Sequence, residues 1–394
     1  MPFQNFVCFV AMFSFGCTTV HIISETPERD SGPVIAGDAG IPPADAFVAD
    51  SGPFPIDAAT VVDASTDAPD LTVTLYTIRL GDRVVGLGTT YVWMTVAELT
   101  AGAEDVDFTG IRFHHRGVGS TDDIPNVYLF RAQDRIRLTT ARSINRVTGE
   151  VVFHTTASGA GITIHAGETI PFAIVGDLSI SAVPGSTHAF DIESADDVFT
   201  LRPARISGAF PLRGATVTLS PLIPERADLR AGTGVDFGYG ERGIISRFTV
   251  TGENIYLDRI SLIQGGSLPV SSLLDLELFV DGVPSGDAYV VDSPYSPFIA
   301  LDFDNPTHTG VHVNGTSEVT VTALVTDPGY DATIRTYVEY QADVIVGDDV
   351  IRFDGIGSGA RVCISSSPYA GCDASDAASF DGTTPGTYFE VTVR

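Results

Sequence analysis

The chain of 394 residues contains no lysine, so all 22 of its basic side chains are arginines. A P-loop, a Schiff base and an isopeptide cross-link each need a lysine amine, so the sequence excludes these three chemistries. The arginines are outnumbered by 50 acidic residues, and the formal net charge is −28. Binding to nucleic acid requires a cationic face, so this charge excludes a nucleic-acid partner and disfavours anionic lipid.

The apolar run near the N-terminus is short. Phe6 to Phe15 falls well below the about 20 residues that a membrane-spanning helix needs, and it has the length of a signal-peptide apolar region. Gly16 and Cys17 follow, and this arrangement resembles the lipobox of bacterial lipoproteins. The resemblance implies export and lipidation of Cys17, which would be the only contact with a membrane. A leader that is ordinarily cleaved or left unprocessed is the alternative.

Bulky apolar side chains are scarce in residues 18–70, where Asp, Ala, Pro and Gly dominate. Burial of so few apolar groups cannot offset the entropy cost of folding, and like charges with prolines keep such a segment extended. We therefore predict a disordered tether. It resembles the spacer that follows the lipidated cysteine in Gram-negative surface lipoproteins, which implies an outer-membrane-anchored or extracellular protein.

The rest of the chain repeats itself. A shift of 149 residues brings one long stretch into register with another without a gap. The shift matches Val106 with Ile255 and Phe130 with Phe279, and we expect all four side chains to be buried. Self-similarity at a fixed interval is the signature of a duplicated unit. The boundaries that follow are module 1 at 71–220, a hinge at 221–227 and module 2 at 228–394.

Within the modules apolar residues alternate with polar ones, as at Ile162 and Ile164 and again at Val391 and Val393. This period of two is typical of half-buried strands, and turn pairs such as Pro-Gly and Asp-Gly separate the runs. The sequence predicts an all-β fold with two tandem antiparallel β-sandwich domains of the Ig-like type.

Two finer matches support the duplication. The alternation slips phase between Phe108 and Ile111 and again between Leu257 and Ile260, which predicts a β-bulge shared by the modules. Later in the modules the matching interval becomes 152 residues, which pairs the two sequences SADDV and VGDDV at 194–198 and 346–350.

The segment Gly117–Phe130, GVGSTDDIPNVYLF, resembles part of the Ig-like sandwich modules of bacterial surface proteins. In those modules a Gly/Ser/Asp loop leads into DI-x-NV-x-L. The counterpart Gly265–Phe279 has lost the acidic loop residues. The resemblance implies modules that serve as spacers or adhesive units.

Only two of the four cysteines lie beyond the N-terminal region: Cys363 and Cys372, in an insert between Phe353 and Tyr388. In an exported chain an even pair nine residues apart predicts a local disulfide. A pair of soft-metal ligands is the alternative.

Acidic pairs are the candidate metal site. Asp196 and Asp197 recur as Asp348 and Asp349, and calcium prefers clustered loop oxygens. The alternative is solvated charge that keeps an acidic protein soluble. We nominate no other cofactor.

Two further motifs carry no chemistry. His114 and His115 are adjacent on a predicted strand and point to opposite faces, so they would chelate one metal poorly. The GxGxxG at 238–243 precedes a predicted strand, whereas a dinucleotide site needs a helix there.

The leading functional hypothesis is a non-catalytic cell-surface protein, structural or adhesive, whose partner is a surface protein or a glycan. The first alternative is a carbohydrate-binding module, and the second is a set of accessory domains of a secreted hydrolase. The carbohydrate alternative depends on aromatic residues that we expect on strands or at their edges: Tyr91, Trp93, Tyr239, Tyr256, Tyr337 and Tyr340.

Overall fold

The computed structural model describes eight segments of the chain. They are residues 68–76, 80–155, 161–222, 226–291, 297–303, 310–347, 361–364 and 388–394. These segments contain β-strands and short 3-10 turns, and none of them forms a helix long and apolar enough to cross a membrane. The predicted signal sequence, Cys17 and nearly all of the predicted tether lie outside the described residues.

The first half of the described chain forms two sheets around one apolar core, with 3-10 turns at Thr121–Asp123 and Ala195–Asp197. Its strands are β1 Asp70–Leu75, β2 Arg83–Gly86, β3 Val92–Ala101, β4 Val106–Arg116, β5 Asn126–Arg131, β6 Ile136–Arg137, β7 Glu150–His154, β8 Ile162–Ile164, β9 Thr169–Asp177, β10 Thr187–Asp191, β11 Val198–Thr200, β12 Arg205–Ser207 and β13 Val217–Ser220.

The second half, with 3-10 turns at Val270–Ser272 and Gln341–Asp343, has a core of its own. Its strands are β14 Arg226–Ala231, β15 Arg242–Gln264, β16 Leu273–Val280, β17 Val283–Pro284, β18 Asp287–Val291, β19 Phe298–Asp302, β20 Val311–Val325, β21 Ala332–Tyr337, β22 Val344–Gly347, β23 Arg361–Ile364 and β24 Tyr388–Val393.

The two halves share one strand order. Sheet A of the first half runs β12-β1-β3-β9-β5-β6, and the second half repeats this order as β23-β14-β15-β20-β16-β17. Sheet B of the first half is built on β4, which pairs with β7, β8, β10 and β11. In the second half, the end of β15 pairs with β19, β21 and β22 in the same way. The all-β, mainly antiparallel fold predicted from the alternation is confirmed.

The predicted register is also observed. Val106 lies opposite Ile164 and Ile255 lies opposite Val313, an interval of 149 residues on both strands, and Val106 and Ile255 are fully buried. The shared bulge is confirmed, because the pairing of β4 with β11 and that of β15 with β22 each skip one residue at this place. The expectation for Phe279 is wrong: Phe130 is buried, whereas Phe279 is only half-buried.

The late match at an interval of 152 residues is wrong. Val198 lies opposite Ile111 and Val344 lies opposite Ile260, which sets the true interval at 146. Asp197 therefore corresponds to Asp343 rather than to Asp349. Each of these two aspartates is the third residue of a 3-10 turn and completes its capping box. The sequence match aligned the letters DDV that the two segments share, whereas strand pairing shows which residues of the two halves are structurally equivalent.

The described strands of both halves belong to one compact unit, Asp63–Arg394. Part of the proposed hinge, residues 223–225, lies outside the described residues. The division into two domains at 221–227 stays a prediction, and the contacts between the halves are the main feature of the candidate site.

Candidate functional site

The outer face of sheet A in the first half is buried. On β5 the side chains of Val127 and Leu129 point into the core, yet Tyr128 and Phe130 on the opposite face are also 1% exposed or less. A sandwich strand normally has one solvated face. Burial of both faces means that another part of the molecule covers sheet A.

That cover is the second half. Ala342 and Ile345 belong to the same apolar cluster as Tyr128 and Phe130. We call this cluster and its surrounding ion pairs the junction. Strand β19 contributes to both cores. Ile299 and Leu301 pack inside the second half, whereas Phe298 and Ala300, on the opposite face of the strand, pack with residues of the first half. The remaining members of the junction cluster are Leu80, Tyr91, Trp93, Val96, Ala173 and Val175.

A buried ion pair crosses the junction. Arg137 Nε donates to Asp343 Oδ1 at 2.7 Å, and their side chains are 6% and 2% exposed. A second nitrogen of Arg137 pairs with Glu339, and a third donates to the carbonyl oxygen of Thr139 at 2.7 Å. The guanidinium lies 4.5 Å from the centroid of the Tyr340 ring, which is a cation–π contact. Arg137 therefore keeps its ion pairs with Asp343 and Glu339 only while the two halves are in contact.

Burial and neighbouring charges shift the pKa values of Asp343 and Arg137. Burial raises the pKa of Asp343 even though Arg137 opposes the rise. Burial acts to lower the pKa of Arg137, but Asp343 and Glu339 outweigh it and raise that pKa further. The guanidinium is therefore charged at every accessible pH. A charge held in this way resists separation from its partner, because separation would leave it unpaired.

A second buried carboxylate lies on the first-half side. Asp177 accepts hydrogen bonds from the hydroxyl of Tyr128 at 2.7 Å and from the backbone N–H of Tyr91 at 3.2 Å. Burial raises the pKa of Asp177 to about 6. Because the Tyr128 ring also packs 5.4 Å from Tyr340 of the second half, this carboxylate orients an aromatic side chain of the junction.

Further polar contacts across the junction involve arginine. Arg135 pairs with Asp258, and Arg259 donates to the backbone carbonyl of Asp134. Arg259 also donates to the hydroxyl of Tyr289 at 3.1 Å. Because hydrogen bonds are directional, these contacts add a preferred orientation to the apolar contact between the two halves.

The predicted calcium residues do not form a cluster in the described chain. Asp197 is buried, and its Oδ2 accepts the backbone N–H groups of Glu193 and Ser194 at 2.9 and 3.0 Å. The carboxylate also meets His114 at 3.2 Å and Arg112 at 3.5 Å. Asp196 is exposed.

Asp348 and Asp349 lie outside the described residues, so calcium binding stays a prediction. Within the described segments, no group of three or more His, Cys, Asp or Glu side chains is placed to hold a metal ion.

His114 and His115 point to opposite faces, as predicted. His115 Nε2 lies 2.9 Å from Nδ1 of His188, and His188 Nε2 lies 3.3 Å from Asp123. Burial, followed by the neighbouring His188, lowers the pKa of His115 to about 4, so its ring is neutral near pH 7. Sequence reasoning did not link His115 with His188 and Asp123, because no local pattern connects residues this far apart in the chain.

The aromatic residues predicted for sugar binding are dispersed. Tyr91, Trp93 and Tyr340 lie in or against the junction cluster. Tyr239, by contrast, packs against the core of the second half, and Tyr256 contacts the ring of His312 at 4.7 Å. The six residues therefore do not form one exposed aromatic row.

Two other predictions can be placed. The GxGxxG at 238–243 is followed by strand β15, as predicted, and not by the helix of a dinucleotide site. Cys363 lies on β23, which pairs in parallel with β14. Cys372 lies outside the described residues, so the disulfide stays a prediction.

No protein-family model matches the chain, and no curated protein matches it. A chain of the CaDoc0917–CaCohA2 complex is 13% identical, with 43% of this chain and 99% of that chain covered and a TM-score of 0.23. The C-terminal domain of the antigen I/II-family protein AspA of Streptococcus pyogenes is 9% identical, with 69% and 96% covered and a TM-score of 0.19. BcpA, the major pilin subunit of Bacillus cereus, is 8% identical, with 71% and 66% covered and a TM-score of 0.17. At TM-scores this low, the similarity supports no inference about function.

Proposed function

We propose that the protein is a non-catalytic cell-surface protein, structural or adhesive, whose two sandwiches act as one rigid body at the end of an N-terminal tether. The observation that carries this proposal is the junction, where the Arg137–Asp343 ion pair is buried between two apolar outer faces. A rigid body of this kind projects a surface at a fixed distance and in a fixed orientation.

The energetics of the junction favour rigidity. Domains that meet through small polar contacts move relative to one another by default. Here aromatic side chains are buried between the halves, and separation of the halves would leave the Arg137 guanidinium without Asp343 at a site that remains partly shielded from water. Breaking a buried ion pair by removing one partner costs about 3–5 kcal/mol. Opening the junction would therefore be rare.

The surface location rests on the sequence. The lipobox-like Cys17, the acidic tether and the net charge of −28 fit a protein held away from an anionic membrane. The lipid anchor, the outer-membrane location and the tether are parts of the proposal.

The described histidines bond to groups other than a serine or cysteine nucleophile. In the described part of the chain the rings of His114, His115, His165 and His312 bond to a carboxylate, another imidazole or an amide. None of these described rings is hydrogen-bonded to a serine or cysteine. A serine- or cysteine-based hydrolase needs such a nucleophile–base pair.

Calorimetry of the full chain tests the rigid body. We expect wild-type protein to unfold in one cooperative transition, because each half is stabilised by the other. Arg137→Ala should separate this into two transitions with unequal midpoints. The matched control is Arg242→Ala, which removes an arginine that pairs with Glu277 on an exposed face and should keep one transition. Two independent transitions in the wild type would contradict the rigid body.

Cell fractionation tests the location. In a Gram-negative host the wild-type chain should remain with the membrane fraction and be accessible to added protease on intact cells. Cys17→Ala should release the protein into the soluble fraction. A wild-type chain that fractionates with the cytoplasm would refute the surface assignment.

A further inference from the structure

A small cavity opens on the outer face of sheet A, beside the junction, and has a volume of about 200 Å³. Cavities for drug-sized ligands start near about 300 Å³, so this one accommodates a single small group. Its walls are formed by Tyr76, Trp93, Val96, Glu98, Ala132, Gln133 and Pro171.

The walls combine aromatic rings with an uncompensated acid. Trp93 is the only tryptophan of the chain, and Tyr76 is a second aromatic wall. In the described part of the chain, the carboxylate of Glu98 and the amide of Gln133 make no hydrogen bond or ion pair. A cation is attracted by the negative face of an aromatic ring, most strongly by that of tryptophan, and a carboxylate adds Coulomb attraction.

The charge of the chain favours a cation from outside. The sequence contains no lysine, so it has no side-chain ammonium group of its own to place against Glu98. A net charge of −28 raises the local concentration of cations and opposes the entry of anions.

The second half provides an internal comparison. The strand registers make Trp93 equivalent to Ile244 and Glu98 equivalent to Thr249. The position of Tyr76 is taken by Gly232, since both backbone N–H groups donate to equivalent carbonyls on the neighbouring strand. The equivalents of Trp93, Tyr76 and Glu98 therefore carry neither an aromatic ring nor an acid. Glu318, at the position of Pro171, is an acid that pairs with Arg247. The cavity chemistry belongs to the first-half side chains and is not a by-product of the fold.

We propose that this cavity binds an alkylammonium group, either a small quaternary amine or the lysine side chain of a partner protein. The Glu98 carboxylate supplies the counter-charge, and the rings of Trp93 and Tyr76 contact the methyl or methylene groups around the nitrogen. This site goes beyond the structural role. It shares Trp93 and Val96 with the junction cluster, whereas the Arg137–Asp343 ion pair of the junction lies outside the cavity walls.

The single tryptophan makes the test direct, because Trp93 forms a wall of this cavity, which it shares with the junction cluster. The full chain is titrated with choline chloride and, separately, with the neutral isostere 3,3-dimethylbutan-1-ol, at an ionic strength kept constant with sodium chloride. We expect choline to change the emission with a dissociation constant on the order of millimolar, as suits a ligand of this size. The isostere should bind about 10-fold more weakly or worse. Nα-acetyl-lysine methylamide forms the third arm, and whichever of it and choline binds more tightly identifies the source of the group.

Glu98→Gln should weaken choline binding by about 10-fold and remove the preference for choline over the isostere. The matched control is Glu318→Gln, an exposed acid on the equivalent sheet of the second half, which should bind choline like the wild type. An unchanged melting temperature verifies that each variant is folded.

Equal affinities of the wild-type protein for choline and for its isostere would overturn the proposal. So would wild-type affinity in Glu98→Gln, no emission change with any probe, or a change produced by glucose and not by choline, which would make the cavity a sugar site. The comparison of choline with its neutral isostere on the wild-type protein tests the proposal even if a variant does not fold.

Discussion

The outer faces of sheet A in the two halves occupy the same strand positions and have opposite characters. In the first half Tyr128 and Phe130 are buried. Their equivalents in the second half are Glu277, which is exposed, and Phe279, which is half-buried. There Glu277 pairs with Arg242 at 3.3 Å and accepts from Thr322 at 3.4 Å. Core-facing positions carry apolar residues in both halves, whereas the outward-facing residues differ according to whether the other half covers them.

Sheet B shows the reverse. Phe298 and Ala300 of the second half are buried against the first half, whereas their first-half equivalents Glu150 and Val152 are only half-buried. Each half therefore contributes one apolar outer face to the junction and keeps one more polar face toward water. The two faces that lie outside the junction are therefore the more polar ones.

The largest expected difference between the two halves concerns Asp343 and Asp197, which occupy equivalent 3-10 turns. Asp343 lies on a face that the other half covers, and Asp197 lies on a face that is not covered. Asp343→Ala should destabilise the protein by about 3–5 kcal/mol, since it leaves the buried Arg137 partly unpaired. Asp197→Ala should cost about 1–2 kcal/mol, because its partner Arg112 is 35% exposed and can be solvated. Urea unfolding measures both values. Equal losses would mean that the junction does not confine Arg137.

Phe130 and Phe279 form the next pair. Phe130→Ala should cost about 3 kcal/mol through lost contacts and a cavity in the junction. Phe279→Ala, on the open face, should cost about 1 kcal/mol. Chemical denaturation of the two variants gives the difference. A larger loss at Phe279 would show that the covered face contributes little to stability.

The pH dependence separates the halves further, since Asp177 has Leu324 as its equivalent. Its pKa of about 6 in the folded protein lies above the ordinary value of 3.8 for an aspartate, so the folded state binds the proton more tightly. The resulting stabilisation is complete below about pH 4 and is lost as the pH rises through 6. It amounts to on the order of 2–3 kcal/mol. Asp177→Asn should remove this part of the pH profile.

The test is unfolding free energy measured from pH 4 to pH 7.5 for the wild type and for Asp177→Asn. We expect the wild type to lose stability relative to the variant across this range. Parallel profiles would show that Asp177 does not titrate near pH 6. Leu324→Ala serves as the control for a change at the equivalent position and should leave the pH profile unaltered.

Much of the fold was predictable because half-buried strands produce a period of two. The covered face also left a signal: residues 171–175 read PFAIV, an unbroken apolar run, where the equivalent residues 318–322 read EVTVT and alternate. An unbroken run marks a strand buried on both faces. The partner of that face was not predictable. Arg137 and Asp343 are 206 residues apart, and no local pattern links them.

The smallest effect concerns the 3-10 turns that precede β5 and β16. Ser120 caps the first turn: its Oγ accepts the backbone N–H of Asp122 at 3.2 Å, while Asp123 Oδ2 accepts the N–H of Ser120 at 3.1 Å. Pro269, at the same position 149 residues later, offers neither a side-chain acceptor nor an N–H. Ser120→Ala should therefore cost about 1 kcal/mol, and Pro269→Ala less than about 0.5 kcal/mol. Hydrogen exchange gives the local readout, because loss of the cap exposes the amide of Asp122. If that amide exchanges no faster in Ser120→Ala than in the wild type, the cap does not hold the turn, and the two turns are equivalent in energy despite their different sequences.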